Sequence, residues 1–163
     1  MSSMVDLISP VVIMLIVLVV ILRQTSAGVA VIALLAGVML DQLLGAWVIG
    51  LIPAQDNTLQ VYVNVVVHLL LTFAPMVVAI SVVKATRKSI TISLLTSLLL
   101  GFLVVYFGLK IIAPIPYVTE EAKNAGLISF LDPYQNTILA ASAVLAIIAM
   151  VIDHRKALKK KDK

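Results

Sequence analysis

Residues 28–52 read GVAVIALLAGVMLDQLLGAWVIGLI, an almost wholly apolar run whose one ionisable side chain is Asp41. A hydrocarbon core about 30 Å thick requires about 20 apolar residues as an α-helix, because lipid offers no hydrogen-bond partner to an unpaired backbone amide or carbonyl. This stretch therefore predicts a transmembrane helix and sets the class of the whole chain.

Four further apolar stretches are long enough for the same purpose. Together with the first they predict five spans, at residues 4–22, 28–52, 59–83, 90–112 and 132–152. The short connections between the first four spans predict that consecutive spans are antiparallel neighbours. The expected fold is an all-α, polytopic transmembrane helical bundle over residues 1–152, followed by a basic tail at 153–163.

The connection between spans four and five is the longest, and it carries local signals of its own. Thr119 followed by acidic residues predicts a short surface helix that ends near Gly126. Asp132 followed by Pro133 predicts the N-cap and the first helical position of span five.

The composition of the chain agrees with a membrane location. Of its 163 residues, 62% are apolar and 12% are charged, and the mean hydropathy is +1.16. Soluble domains carry about 45–50% apolar and about 25% charged residues, so this chain has too little polar surface to cover a water-facing globule. It contains no cysteine, which excludes disulfides, thiolate metal sites and cysteine nucleophiles.

Lysine and arginine are distributed very unevenly between the two ends of the spans. Ten of the 12 follow spans one, three and five. Because basic residues are retained in the cytoplasm, we expect the N-terminus outside and the C-terminus in the cytoplasm. Aromatic residues, which favour the headgroup level, fall near the expected outer face: Trp47, Tyr62, Tyr106, Phe107, Tyr117, Phe130 and Tyr134. The short loops and the lack of cysteine favour a prokaryotic cytoplasmic membrane.

The tail after span five is strongly basic. We expect it to lie against the anionic headgroups of the inner leaflet, at about 1 kcal/mol for each basic residue. No aromatic residue is interleaved with the charges, so nucleic acid is not an expected partner. The predicted headgroup-binding residues are Arg155, Lys156, Lys159, Lys160, Lys161 and Lys163.

Asp41 lies about halfway along span two. An ionisable carboxyl at that depth costs about 2.5–3.5 kcal/mol on insertion scales, so it is expected to face protein or water. Ala33, Gly37 and Gly45 share its face at four-residue spacing. Such a stripe of small residues lets another helix approach closely.

His68 in span three is the expected partner of Asp41. Counted from the turn between the two spans, both residues lie within about 3 Å of one depth at the helical rise per residue. Asn64 and Thr72 share the face of His68, and Gln42 follows Asp41. If these faces meet, Asp41 accepts a hydrogen bond from His68, and the pair could hold or pass a proton. The alternative is a fastening role, in which Asp41 bonds to Gln42, Asn64 or a backbone carbonyl for about 0.6 kcal/mol.

Span four carries small residues and one lysine. Ser93, Ser97 and Gly101 follow one another at four-residue spacing and predict a helix-packing surface. Lys110, near the outer end of the span, is expected to extend toward the headgroups.

The chain lacks the signatures of membrane enzymes and metal sites. Its other histidine, His154, lies beyond span five, too far in depth from His68 to share a metal. The sequence contains no HExxH, GxSxG or phosphate-binding glycine loop. We therefore expect no catalytic activity, no cofactor and no metal.

Two functions remain open at this point. The first is a non-enzymatic structural or accessory subunit, which packs with itself as a homo-oligomer or with a larger membrane complex through its small-residue faces. The alternative is a small proton- or cation-coupled transporter or channel that uses Asp41 and His68.

Overall fold

The structure, a computed structural model, describes residues 4–22, 26–52, 56–83, 90–115 and 132–161. Within these residues the chain forms a helical bundle, and the predicted all-α class is confirmed. A 3-10 turn at Asp132–Tyr134 precedes the last helix. The five helices are α1 (Met4–Leu22), α2 (Ala27–Gly50), α3 (Asn57–Val82), α4 (Ile90–Ile112) and α5 (Gln135–Lys161).

Four segments of the bundle are long and apolar enough to cross a membrane. They are Ala27–Gly50, Asn57–Val82, Leu94–Ile112 and Asp132–Ile152. The apolar part of α1 that the structure describes, Ser9–Val20, is shorter. Large apolar side chains face outward on these helices; Leu43 is 77% exposed and Met14 is 75% exposed. Water would oppose such a surface and lipid favours it, so the chain is a membrane protein.

The central helix of the bundle is α2. Its most extensive contact is with α3, and it also packs against α4 and α5. α1 packs mainly against α4 and not against α2, the helix that follows it in the chain. Gly101 of α4 permits this contact, because a Cβ there would lie 3.1 Å from the backbone oxygen of Ile13. The prediction that consecutive spans are close neighbours therefore holds for α2 with α3 but not for α1 with α2.

Burial along α2 is asymmetric. Val31 and Leu34, near its beginning, are fully buried, and they join Leu100 and Leu103 of α4 in the hydrophobic core. Beyond Val38 most residues of α2 are exposed or half-buried. We call the end of the bundle where α2 begins the Ala27 end, and the end where it stops the Gly50 end. The part of the core that α2 contributes thus lies toward its Ala27 end.

The region around the start of α5 differs from the expectation. The Asp132 carboxylate accepts hydrogen bonds from the Tyr106 hydroxyl and from Lys110 Nζ, both at 3.0 Å, and the α-helix begins only at Gln135. Tyr106 and Phe107 are buried among the helices. α5 also continues past residue 152 to Lys161, into the segment predicted as a tail. The predicted surface helix at 119–126, with Tyr117 and Phe130, lies outside the described residues.

Candidate functional site

The contact between α2 and α3 follows a constant antiparallel register. Gly37 lies against the backbone of Thr72, where an added Cβ would overlap the carbonyl oxygen and lie 2.8 Å from the carbonyl carbon. Four residues further along α2, Asp41 faces His68, which lies four residues before Thr72 on α3. Asp41 Oδ1 and His68 Nδ1 are 2.6 Å apart. The missing side chain of Gly37 therefore sets the close helix spacing that this hydrogen bond needs.

A second glycine positions the imidazole ring. A Cβ on Gly45 would lie 3.2 Å from His68 Cε1 and 3.0 Å from Asp41 Oδ1. The ring is thus held over the bare backbone of α2, one turn beyond Asp41. The small-residue stripe brackets the carboxylate on both sides and leaves room for the ring between the two helices.

The pair lies on the wall of a cavity of about 280 Å³. The Asp41 side chain is 18% exposed and that of His68 is 36% exposed, so both are accessible from this cavity. Phe107 and Val38 contribute apolar surface to the same wall. The polar residues that line it are Asp41, Gln42, His68, Thr72, Lys110 and Gln135.

The Gly50 end of the cavity carries a second polar cluster. Lys110 Nζ donates to Asp132 Oδ1 at 3.0 Å and to Gln135 Oε1 at 2.6 Å. The same ammonium lies 5.9 Å from the centre of the Tyr106 ring, whose hydroxyl also donates to Asp132. We call these four residues the Lys110 cluster. It ties the end of α4 to the beginning of α5 beside the cavity.

Among the described residues, the other polar side chains predicted to support the pair are not hydrogen-bonded to it. Asn64 Oδ1 accepts a hydrogen bond from Gln60 Nε2 at 3.0 Å, one turn back on α3. Gln42 is exposed and lines both this cavity and a second one of about 400 Å³, which lies between α2 and α5. Thr72 is buried and contributes to the floor of the first cavity.

The remaining predicted residues either pack between helices or lie outside the described residues. Ala33 is half-buried, and Ser97 and Gly101 are buried in α4. The side chain of Ser93 lies outside the described residues. So do the side chains of the basic tail, Arg155, Lys156, Lys159, Lys160 and Lys161, and the whole of Lys163. Within the described part of the chain, no three His, Cys, Asp or Glu side chains are grouped as metal ligands.

Sequence reasoning missed the Lys110 cluster. One signal was present, because Asp132 and Gln135 are three residues apart at the start of a predicted helix and so share a face. Nothing in the sequence showed that this face meets Lys110.

Comparisons of the chain with protein-family models, with curated proteins and with solved structures found no match.

Proposed function

We propose that this chain is a small proton-coupled carrier of the cell membrane, in which the Asp41–His68 pair takes up and releases the proton. One observation carries this proposal: the pair lies on the wall of a partly open cavity, together with Gln42 and Lys110, and is not sealed between α2 and α3. A pair that only fastens two helices needs no access to water. A pair that exchanges protons does need it, and an ionisable residue inside a membrane is by default a functional group.

The chemistry of the two side chains suits this task. An imidazole ring has two nitrogens that can each carry a proton, and a carboxylate beside the ring accepts a hydrogen bond from one of them. With Nδ1 bonded to Asp41 Oδ1, the second ring nitrogen is the position at which a proton arrives or leaves. The other charged group on the cavity wall is Lys110, whose ammonium is balanced by Asp132.

The packing around the pair is tighter toward one end of the bundle than toward the other. Toward the Ala27 end, Gly37 and Thr72 are in backbone contact, and Val31 and Leu34 are fully buried. Toward the Gly50 end the cavity reaches Pro114 beyond the end of α4. Tighter packing on one side supports a carrier that opens alternately to the two sides. In the orientation expected from the basic residues, the Gly50 end faces the outside of a prokaryotic cytoplasmic membrane.

Reconstituted protein tests the proposal. The purified chain is placed in liposomes that contain a pH-sensitive dye, and proton entry is followed after a pH gradient is imposed. We expect Asp41→Asn to lower the protein-dependent flux by about a hundredfold, the lower end of what a positioned proton-transfer group contributes. Asp56→Asn is the matched control, because Asp56 is an exposed cap of α3 and Asn caps helices equally well.

Two results would contradict the carrier proposal. One is an Asp41→Asn protein that inserts normally and conducts protons like the wild type. The other is a wild-type protein whose proton flux equals that of empty liposomes.

The second function, a non-enzymatic structural or accessory subunit, is favoured by a different observation. An apolar groove of about 600 Å³ runs along α3 beside Pro75, lined by residues such as Leu70 and Val78 that the bundle leaves exposed. A second copy of the chain or a larger membrane complex could pack against this face. Purification in a mild detergent separates the two ideas. Companion chains in a fixed ratio would favour the subunit, and a chain without companions that still conducts protons would favour the carrier.

A further inference from the structure

The cavity wall carries a carboxylate and an ammonium at different depths. Asp41 lies nine residues before the end of α2 at Gly50, and Lys110 lies two residues before the end of α4 at Ile112. At the helical rise per residue, these positions differ by about 10 Å in depth when measured from the ends of their helices. The wall includes Lys110 but not its partner Asp132, so the cavity faces the cation of that ion pair.

Both charged groups have hydrogen-bonding positions that their described partners do not use. An ammonium has three donors, and two of those on Lys110 reach Asp132 and Gln135. An ionised carboxylate has four lone-pair positions, and His68 occupies one of those on Asp41. Each end of the cavity is therefore able to bind one more group, a hydrogen-bond donor beside Asp41 and an acceptor beside Lys110.

The volume and the apolar surface limit the size and shape of a ligand. A cavity of about 280 Å³ has the volume of about nine water molecules in the liquid, at about 30 Å³ each. Val38, Phe107 and Ile111 also line the cavity, and by the same count Phe107 lies between the two charged groups. Short methylene chains fit such a surface, and an aromatic ring also attracts an alkylammonium group.

We propose that the cavity binds a small zwitterion of the amino-acid class, with its amine beside Asp41 and its carboxylate beside Lys110. This inference rests on the proposed carrier function and names the solute that moves with the proton. A simple amine would leave the third donor of Lys110 unused, and a simple carboxylate would meet the lone pairs of Asp41 without a donor. A zwitterion satisfies both ends of the cavity.

Binding to the full chain in detergent, with no gradient present, tests the inference separately from transport. The probes are glycine, 4-aminobutanoate and 6-aminohexanoate, and the one-charge controls are butylamine and butanoate. Isothermal titration calorimetry measures each affinity. We expect one of the zwitterions to bind at least about tenfold more tightly than either control, since a second charge-assisted hydrogen bond contributes at least that factor.

Variants of Asp41 and Lys110 show which charged group of the ligand lies at which end of the cavity. Lys110→Met is expected to remove the preference for the zwitterion over butylamine, and Lys110→Arg to keep it. Asp41→Asn is expected to remove the preference over butanoate. A variant that is merely destabilised would weaken all probes alike and would not produce these opposite losses.

The inference is overturned if butylamine or butanoate binds to the wild type as tightly as the best zwitterion, or if no probe binds. These comparisons use the wild-type chain and do not depend on any variant folding. Proton flux without zwitterion binding would leave the carrier proposal standing and remove this solute class. Zwitterion binding without proton flux would support this solute class and contradict the carrier proposal.

Discussion

Gly37→Ala tests the contact that holds Asp41 beside His68. On an exposed helix this replacement stabilises by about 0.5–1 kcal/mol, because glycine is the poorer helix former. At this site the added Cβ would lie 2.8 Å from the carbonyl carbon of Thr72 and 3.1 Å from the oxygen of Leu71. Non-bonded carbons approach to about 3.5–4.0 Å, so α2 and α3 must separate by at least about 0.7–1.2 Å, and the overlap with the Thr72 oxygen acts in the same direction.

This separation affects both the stability of the bundle and the Asp41–His68 pair. Forcing extra atoms into a packed interface costs about 1–3 kcal/mol. The same movement, one helical turn away, lengthens the Asp41–His68 bond from 2.6 Å to about 3.3–3.8 Å, past the usual limit of about 3.2 Å for such a bond. We therefore expect Gly37→Ala to lower the free energy of unfolding by about 1–3 kcal/mol and to abolish the direct bond.

The assay is unfolding in mixed micelles, followed by far-ultraviolet circular dichroism, together with nitrogen NMR of labelled histidine to detect the bond at His68. Gly50→Ala is the matched control, because a Cβ built on Gly50 has no atom within 4 Å. We expect this control to be neutral or slightly stabilising. The reasoning is refuted if Gly37→Ala unfolds with the same free energy as Gly50→Ala and keeps the wild-type histidine signal.

Two polar residues give predictions of opposite sign. Tyr106→Phe removes the hydrogen bond to Asp132 and should lower the free energy of unfolding by about 1 kcal/mol, whereas Tyr62→Phe on the exposed face should change it by less than about 0.5 kcal/mol. Equal effects of the two changes would argue against a role for the Tyr106 hydroxyl. The buried hydroxyl of Ser142 has no hydrogen-bond partner among the described residues, so Ser142→Ala should be neutral or stabilising by up to about 1 kcal/mol in the same unfolding assay. A clear loss of stability would indicate that this hydroxyl does have a partner.

The sequence was informative wherever the bilayer constrains the chain. Each span must be helical and long enough to cross the lipid. Hydropathy therefore predicted the bounds of α4, 90–112, and placed most other helix ends within a few residues; the end of α5 at Lys161 is the exception. The common depth of Asp41 and His68 followed from counting helical rise on both sides of one short turn. The structure brings these two side chains together.

The sequence was uninformative about contacts between helices that depend on how each helix is rotated about its axis. Leu, Val and Ile suit lipid and protein neighbours equally well, so the pattern did not show that α1 packs against α4 or that Lys110 faces the start of α5. Asn64 is an example of competition within one helix. The side chain of Gln60, one turn earlier on α3, donates a hydrogen bond to the carbonyl oxygen of the Asn64 side chain. The cavity arises from these rotations and was therefore not predicted.

The most direct test of the account is whether water reaches the Asp41–His68 cavity from one side only. The natural chain has no cysteine, so single cysteines can be introduced without a background signal and reacted with a membrane-impermeant maleimide in right-side-out and inverted vesicles. Asn57→Cys, at the exposed start of α3, marks the Gly50 side. We predict that Gln42→Cys on the cavity wall reacts from that same side and that Leu34→Cys in the core reacts from neither. Reaction of Leu34→Cys, or failure of Gln42→Cys to react from the Gly50 side, would contradict the account.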